Sequence, residues 1–188
     1  MTTLLGIAGS LRRRSYNRAL LEAAATLMPD GARLEVAGID GIPLYDGDAE
    51  AADGVPAAVA ALKARLAAAD GLLLATPEYN NGIPGAFKNA VDWLSRPPDD
   101  VARLFAGRPV AVIGATPGGM GTVLAQDAWL PVLRALKTRP WYEGRLMVSG
   151  VQRRFDDEGR LTDDDLRESL SRFLTGFVGF VRGARAAD

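Results

Sequence analysis

The chain contains neither cysteine nor histidine. That double absence removes disulfides, thiolate nucleophiles, imidazole bases and the usual transition-metal ligands together, so no metal site is expected. A surplus of either charge is also missing: 22 basic against 23 acidic residues leave a formal net charge of -1. Without excess cations to neutralise a string of phosphates, nucleic acid is not expected as a partner. No apolar run approaches the ~20 residues that span a bilayer, so no membrane role is expected. The basic cluster Arg12 to Arg14 follows the apolar stretch Leu4 to Ala8, the reverse of a secretory signal, and a cytoplasmic location is the expectation by elimination. What remains is ordinary globular composition, 48% apolar and 24% charged over 188 residues, which suits a single domain spanning 1–188.

Leu4-Leu5-Gly6-Ile7-Ala8 is a short apolar run that fits a strand buried on both faces. Leu20, Leu21, Ala24, Leu27 and Met28 then recur at helical spacing, predicting a helix from about Asn17 to Met28, stopped by Pro29-Asp30-Gly31. Leu34 and Val36 alternate with charged residues as in an edge strand, and Gly38 to Gly54 reads as a loop whose Ile42 to Tyr45 pack on the domain. An alanine-rich helix from Pro56 to Ala69 precedes the buried strand Leu72 to Ala75. A helix bearing Phe87, Ala90, Val91 and Leu94 ends at Pro97-Pro98, and Val110 to Ile113 is the next strand. Gly114 to Gly121 reads as a glycine-rich turn before a helix through Leu136, with Pro131 inside it. Leu146-Met147-Val148 is the fifth strand, and Thr162 to Asp165 resembles a capping box for a last helix through Val181. Five strands alternating with five helices imply an α/β fold: a doubly wound parallel sheet with helices on both faces and strand order 2-1-3-4-5. In that order the loops after Ala8, Ala75 and Ile113 emerge side by side at the carboxyl edge, where such sheets bind ligands.

The first of these loops, from Gly9 to Asn17, carries Ser10, Arg12, Ser15 and Asn17 and runs straight into a helix, a pattern that suits one phosphate. It matches neither the nucleoside-triphosphate loop nor the dinucleotide fingerprint. Ser15 or Asn17 equally suits plain helix capping, and Arg13 and Arg14 read as solvated charge. The second loop, Pro77-Glu78-Tyr79-Asn80-Asn81-Gly82-Ile83-Pro84-Gly85, is stiff and exposes backbone amides, which suits the edge of a flat heteroaromatic ring or simply a turn. The third, Thr116-Pro117-Gly118-Gly119-Met120-Gly121, again allows close backbone approach.

Gly9-Ser10-Leu11-Arg12 with Ser15 and Asn17, then Thr76-Pro77-Glu78-Tyr79-Asn80 through Ile83-Pro84-Gly85 to Lys88-Asn89-Ala90-Val91-Asp92-Trp93-Leu94, resemble the flavodoxin-like NADPH-dependent FMN reductases, particularly the branch of chromate and quinone reductases. The resemblance covers nearly the whole chain. It implies an enzyme with FMN as cofactor and NADPH or NADH as co-substrate. Ser10, Arg12, Ser15, Tyr16 and Asn17 would lie at the phosphate, Pro77, Glu78, Tyr79 and Asn80 at the isoalloxazine ring, and Thr116, Pro117, Gly118 and Gly119 on its other side. At Asn81-Gly82 the sequence departs from the Gly-Ser frequent among relatives. The chemistry would be flavin-centred, with no catalytic side chain, and both substrates would take turns on one face in a ping-pong mechanism. The implied acceptors are small molecules: a quinone, with chromate, azo compounds or free flavin as broader alternatives.

A flavodoxin-type electron carrier or a non-catalytic FMN-binding module shares these features. The near-neutral charge and Arg12 favour the enzyme over the carrier. The resemblance also implies a homodimer or homotetramer, to which Trp93, Trp129, Trp141 and Tyr142 would contribute if exposed. Asn89 and Asp92 are read either as bracing the first or second loop or as a solvated helix face.

Overall fold

Apolar runs without helical period become the central strands. In a computed structural model of the chain, which describes residues 1–186, β1 (Thr2–Ala8), β3 (Gly71–Ala75) and β4 (Pro109–Ala115) are buried along nearly their whole length. The last two residues of the expected domain, 187 and 188, lie outside the described ones. β2 (Ala32–Ala37) is half-exposed and pairs with β1 alone, as its alternating pattern predicts. The order is β2-β1-β3-β4-β5, every pairing parallel.

The fifth position of the sheet is divided between two short strands. β5 (Arg139–Pro140) lies beside Pro109 and Val110, and β6 (Leu146–Val148) beside Ile113 to Ala115, so six strands stand where five were expected. The interruption has a packing cause. Trp141 turns its indole inward, with its centroid 5.0 Å from Phe173 and 5.7 Å from Phe177, and a Cβ on Gly144 or Gly176 would lie 2.4 or 2.8 Å from its ring.

Among the described residues there are six α-helices, α1 (Tyr16–Thr26), α2 (Gly47–Asp53), α3 (Ala57–Ala67), α4 (Gly85–Leu94), α5 (Val123–Ala135) and α6 (Asp164–Ala186), and all but α2 cover the faces. Successive strand residues point to opposite faces. Leu4, Ala8, Leu73 and Ile113 therefore join α1 and α6 in one core cluster, and Leu5, Ile7, Leu72 and Val110 join α3, α4 and α5 in the other.

Several boundaries differ from expectation. β4 runs on through Gly114 and Ala115, so the third loop begins at Thr116. Residues 38–54 contain α2, a short helix with no buried residue, capped by Asp46. Of the apolar residues there, Ile42 is half-buried but Leu44 is 82% exposed. The segment is tied to α4, because Asn89 donates to the Pro43 carbonyl at 2.8 Å and accepts from the Tyr45 N–H at 2.8 Å, while Trp93 Nε1 donates to Pro43 at 2.9 Å. Asn89 thus braces residues 43–45 and neither of the glycine-rich loops, and Asp92 pairs with Lys88. α6 is capped by Asp163, which accepts from the Leu166 N–H at 2.7 Å, because Thr162 is occupied with the Arg154 carbonyl. The three tryptophans are all buried, leaving only Tyr142 of the expected interface aromatics exposed.

Candidate active site

The sheet brings the three loops together. Gly9 N–H donates to Ala75 C=O at 3.0 Å, and Thr76 N–H donates to Ile113 C=O at 2.8 Å, so the chain leaves β1, β3 and β4 at one level. Gly9 must be glycine, since a Cβ there would lie 2.0 Å from the Phe87 ring of α4.

Loop one (residues 9–15) ends at Ser15, the N-cap of α1. Its Oγ accepts from the Arg18 N–H at 3.2 Å, and the Ser10 Oγ accepts from the Arg12 N–H at 3.3 Å. Each hydroxyl keeps its proton for a further acceptor. Among the described residues the backbone N–H groups of Tyr16 and Asn17, at the positive end of the α1 dipole, have no acceptor. Arg12 is exposed and forms no ion pair among them. Asn17 is 3% exposed, and its side chain clamps Ala115 at the end of β4, with Nδ2 donating at 3.0 Å and Oδ1 accepting at 2.9 Å. The amide thus joins loop one to β4, while the Asn17 backbone N–H has no acceptor among the described residues. Tyr16 is half-buried, with its ring 6.5 Å from that of Phe155.

Loop two (residues 76–84) is a tight hairpin. Tyr79 and Gly82 exchange backbone hydrogen bonds at 3.2 and 3.1 Å around Asn80 and Asn81, whose φ values are 49° and 62°. Two left-handed residues in succession make a primed turn, and asparagine is among the few side chains that tolerate them. Pro77 is buried, and Tyr79 is 52% exposed beside the turn. The Glu78 carboxylate accepts from the Ala125 N–H at 2.9 Å, capping α5 from another loop. The cap is needed because Thr122, the N-cap residue of α5, sits at φ 64° and makes no side-chain cap of its own.

Loop three (residues 116–122) is anchored at Thr116, which donates its N–H to Val148 at 2.9 Å and accepts from Val151 at 3.2 Å. Pro117, Gly118 and Gly119 are exposed, and a Cβ on Gly119 would meet nothing within 4 Å, so the backbone faces open space. A fourth segment joins this edge unexpectedly. Gly150 N–H donates to Gly118 C=O at 3.2 Å, which places residues 149–155 beside loop three. The one available signal for it was the glycine just past the last strand.

Two unpaired N–H groups, two hydroxyl protons and the exposed Arg12 guanidinium on loop one and the start of α1, next to open backbone on two further loops, suit a mononucleotide bearing a flat ring. Residues 2–152 match the family model of the NADPH-dependent FMN reductases. The chain belongs to this family. It is accordingly an oxidoreductase with FMN as cofactor and a nicotinamide as co-substrate. The reductase is 44% identical to an NAD(P)H-dependent FMN reductase of Pseudomonas aeruginosa, over 97% of this chain and 96% of the relative. It is 36% identical to a 2-hydroxy-1,4-benzoquinone reductase of a Burkholderia species, over 95% and 96%. Its fold superposes on the flavoenzyme NAD(P)H:(acceptor) oxidoreductase of Paracoccus denitrificans with a TM-score of 0.86, 30% identity and coverage of 98% and 99%. Among the described residues no helix is long and apolar enough to cross a membrane, and no group of acidic residues is placed to hold a metal ion.

Proposed function

We propose that this reductase holds the FMN phosphate on loop one and the isoalloxazine ring between loops two and three, and passes two electrons from NAD(P)H to a quinone. The observation that carries this reading is the set of unpaired N–H groups at the start of α1, flanked by the Ser10 and Ser15 hydroxyls and the free Arg12 guanidinium. When bound, FMN supplies the redox chemistry, with the balance NAD(P)H + H⁺ + quinone giving NAD(P)⁺ + hydroquinone.

The chain's own residues bind and orient. Ser10 and Ser15 donate hydroxyl protons to phosphate oxygens, Arg12 adds a charged fork, and the Tyr16 and Asn17 N–H groups complete the cradle. Pro77 to Asn80 and Thr116 to Gly119 present backbone groups to the two ring edges. Tyr79 and Met120, both exposed at this edge, give an aromatic acceptor apolar surface to lie against. The chemistry is assigned to the flavin, and no side chain is given a catalytic role.

The quinone rests on that apolar rim and on the relative named for a benzoquinone; chromate, azo compounds and free flavin are proposed as further acceptors through the same opening. A single open edge makes donor and acceptor take turns, which is ping-pong kinetics. The reductase is further proposed to act as one domain, in the cytoplasm, as a homodimer or homotetramer joined through α5, whose exposed Leu130 shares a cleft with Tyr142 and Met147.

An anaerobic absorbance spectrum tests the core of the proposal. A flavin spectrum that bleaches with NADPH or NADH and returns with benzoquinone is expected. A protein that neither carries nor takes up FMN would reject the reading, and FMN that no nicotinamide bleaches would leave the electron carrier in its place.

A further inference from the structure

Loop three ends at the start of α5, where the residue that could cap the helix is used for something else. Thr122 carries a hydroxyl at the N-cap position, but its backbone is left-handed, with φ 64° and ψ 26°, and its side chain makes no cap. That conformation strains a β-branched residue, and packing holds it there. Thr122 is fully buried, and a Cβ on Gly114 of β4 would lie 1.8 Å from its Oγ1 and 2.5 Å from the Thr76 carbonyl oxygen. Gly114 thus leaves a notch in which the last residue of loop three meets the first residue of loop two. Gln126 closes the notch from the helix, its Nε2 donating to Thr122 Oγ1 at 3.2 Å and to the Leu146 carbonyl at 3.1 Å.

With the Thr122 hydroxyl turned into that notch, the first N–H groups of α5 find acceptors in both loops. Val123 N–H donates to the Met120 carbonyl of loop three at 3.1 Å, and Ala125 N–H donates to the Glu78 carboxylate of loop two at 2.9 Å. Glu78 is half-buried and forms no ion pair among the described residues, so the positive end of α5 is the partner of its charge. Beyond it, Tyr79, Asn80 and Asn81 are exposed, and the hairpin bonds to itself through Tyr79 and Gly82. We infer that Glu78 is a positioning residue of the flavin site: by capping α5 it fixes the gap between loops two and three, and with it the fit of the isoalloxazine ring. This rests on the proposed place of the ring between those loops. A cap from within loop three would stabilise α5 equally well, whereas a cap from loop two makes the two ring edges one rigid unit. A ring entering a gap that is already set loses less freedom on binding.

Flavin titrations and amide exchange test the assignment. Riboflavin carries the ring without the phosphate, so Glu78→Ala should weaken riboflavin and FMN by the same factor, roughly tenfold. Glu78→Gln keeps an acceptor for the Ala125 N–H and should recover most of the affinity for both. Leu133→Ala, a buried change farther along α5, controls for lost stability and should leave both affinities near wild type. In the apoprotein, amides of residues 116–125 should exchange faster in Glu78→Ala than in wild type and regain protection in Glu78→Gln. Riboflavin affinity unchanged in Glu78→Ala, or lowered as much in Leu133→Ala or in Glu78→Gln, would overturn the inference. Failure of the flavin reading shows separately, as a wild type that takes up neither flavin, and the exchange rates then still decide whether Glu78 ties the two loops together.

Discussion

Arg12 is exposed and unpaired, whereas Asn17, at the other end of the same loop, is buried and bonded twice to Ala115. The two are expected to fail differently. Arg12→Ala removes a charged hydrogen bond to phosphate and nothing from the fold, so FMN affinity should fall by about 1.5–3 kcal/mol, roughly 10- to 150-fold, with the melting point of the apoprotein unchanged. A fluorescence titration beside a thermal melt of the apoprotein measures both; FMN affinity equal to wild type would remove Arg12 from the site. Asn17→Ala leaves the Ala115 N–H and C=O without partners, and each stranded buried group costs about 1–3 kcal/mol. Here the apoprotein itself should lose stability in urea. A loss confined to FMN binding would show that Asn17 acts on the ligand alone.

Between elements, the least replaceable tie is a buried ion pair. Lys63 of α3 meets Asp100 at 2.9 Å, with side chains 6% and 11% exposed, and also donates to the Arg96 carbonyl. Burial pushes the Asp100 carboxyl up, but hydrogen bonds from Lys63 and Arg103, together with their charges, outweigh it and hold the group below its ordinary value. A carboxylate depressed in the folded state contributes stability above its unfolded value near ~3.9, and that contribution is lost as pH falls through the folded value. Lys63→Ala removes a charged hydrogen bond and leaves Asp100 to Arg103 alone, so it should cost about 1.5–3 kcal/mol at neutral pH, and its deficit relative to wild type should shrink in urea melts below roughly pH 4. A deficit independent of pH would refute the pairing. Nothing in an alanine-rich helix marks Lys63 for this role, and the same holds for other long-range partners: Asn17 and Ala115 are 98 residues apart, Glu78 and Ala125 are 47. β1, β3 and β4 were legible because a strand buried on both faces must be apolar throughout. β5 was not, since Arg139 and Pro140 carry no apolar signal and owe their place to Trp141 turning inward. α2 buries nothing, so no periodicity could announce it. For α6, the capping box read from Thr162 shifted by one residue to Asp163 because the Arg154 carbonyl claims Thr162.

At the scale of the whole molecule, the two faces of the sheet are covered and the carboxyl edge is where the cofactor is proposed to bind. One exposed apolar surface lies along α5 and the interrupted sheet edge, where Leu130, Tyr142 and Met147 line a cleft together with Val110, Val112 and Trp141. Gly121 connects this face to loop three, since a Cβ there would lie 2.7 Å from the Met147 backbone. A partner seated on α5 would therefore press on loop three, the segment proposed to border the ring. A stable pair needs about 1,200–2,000 Å² of total buried area, and apolar side chains at its centre contribute most. Light scattering should give at least twice the 19.9 kDa chain mass. Leu130→Glu, which places a charge at the middle of that face, should shift the protein toward monomer with its circular dichroism unchanged. A monomer at every concentration in wild type would reject self-association, and an unshifted mass in Leu130→Glu would move the interface away from α5.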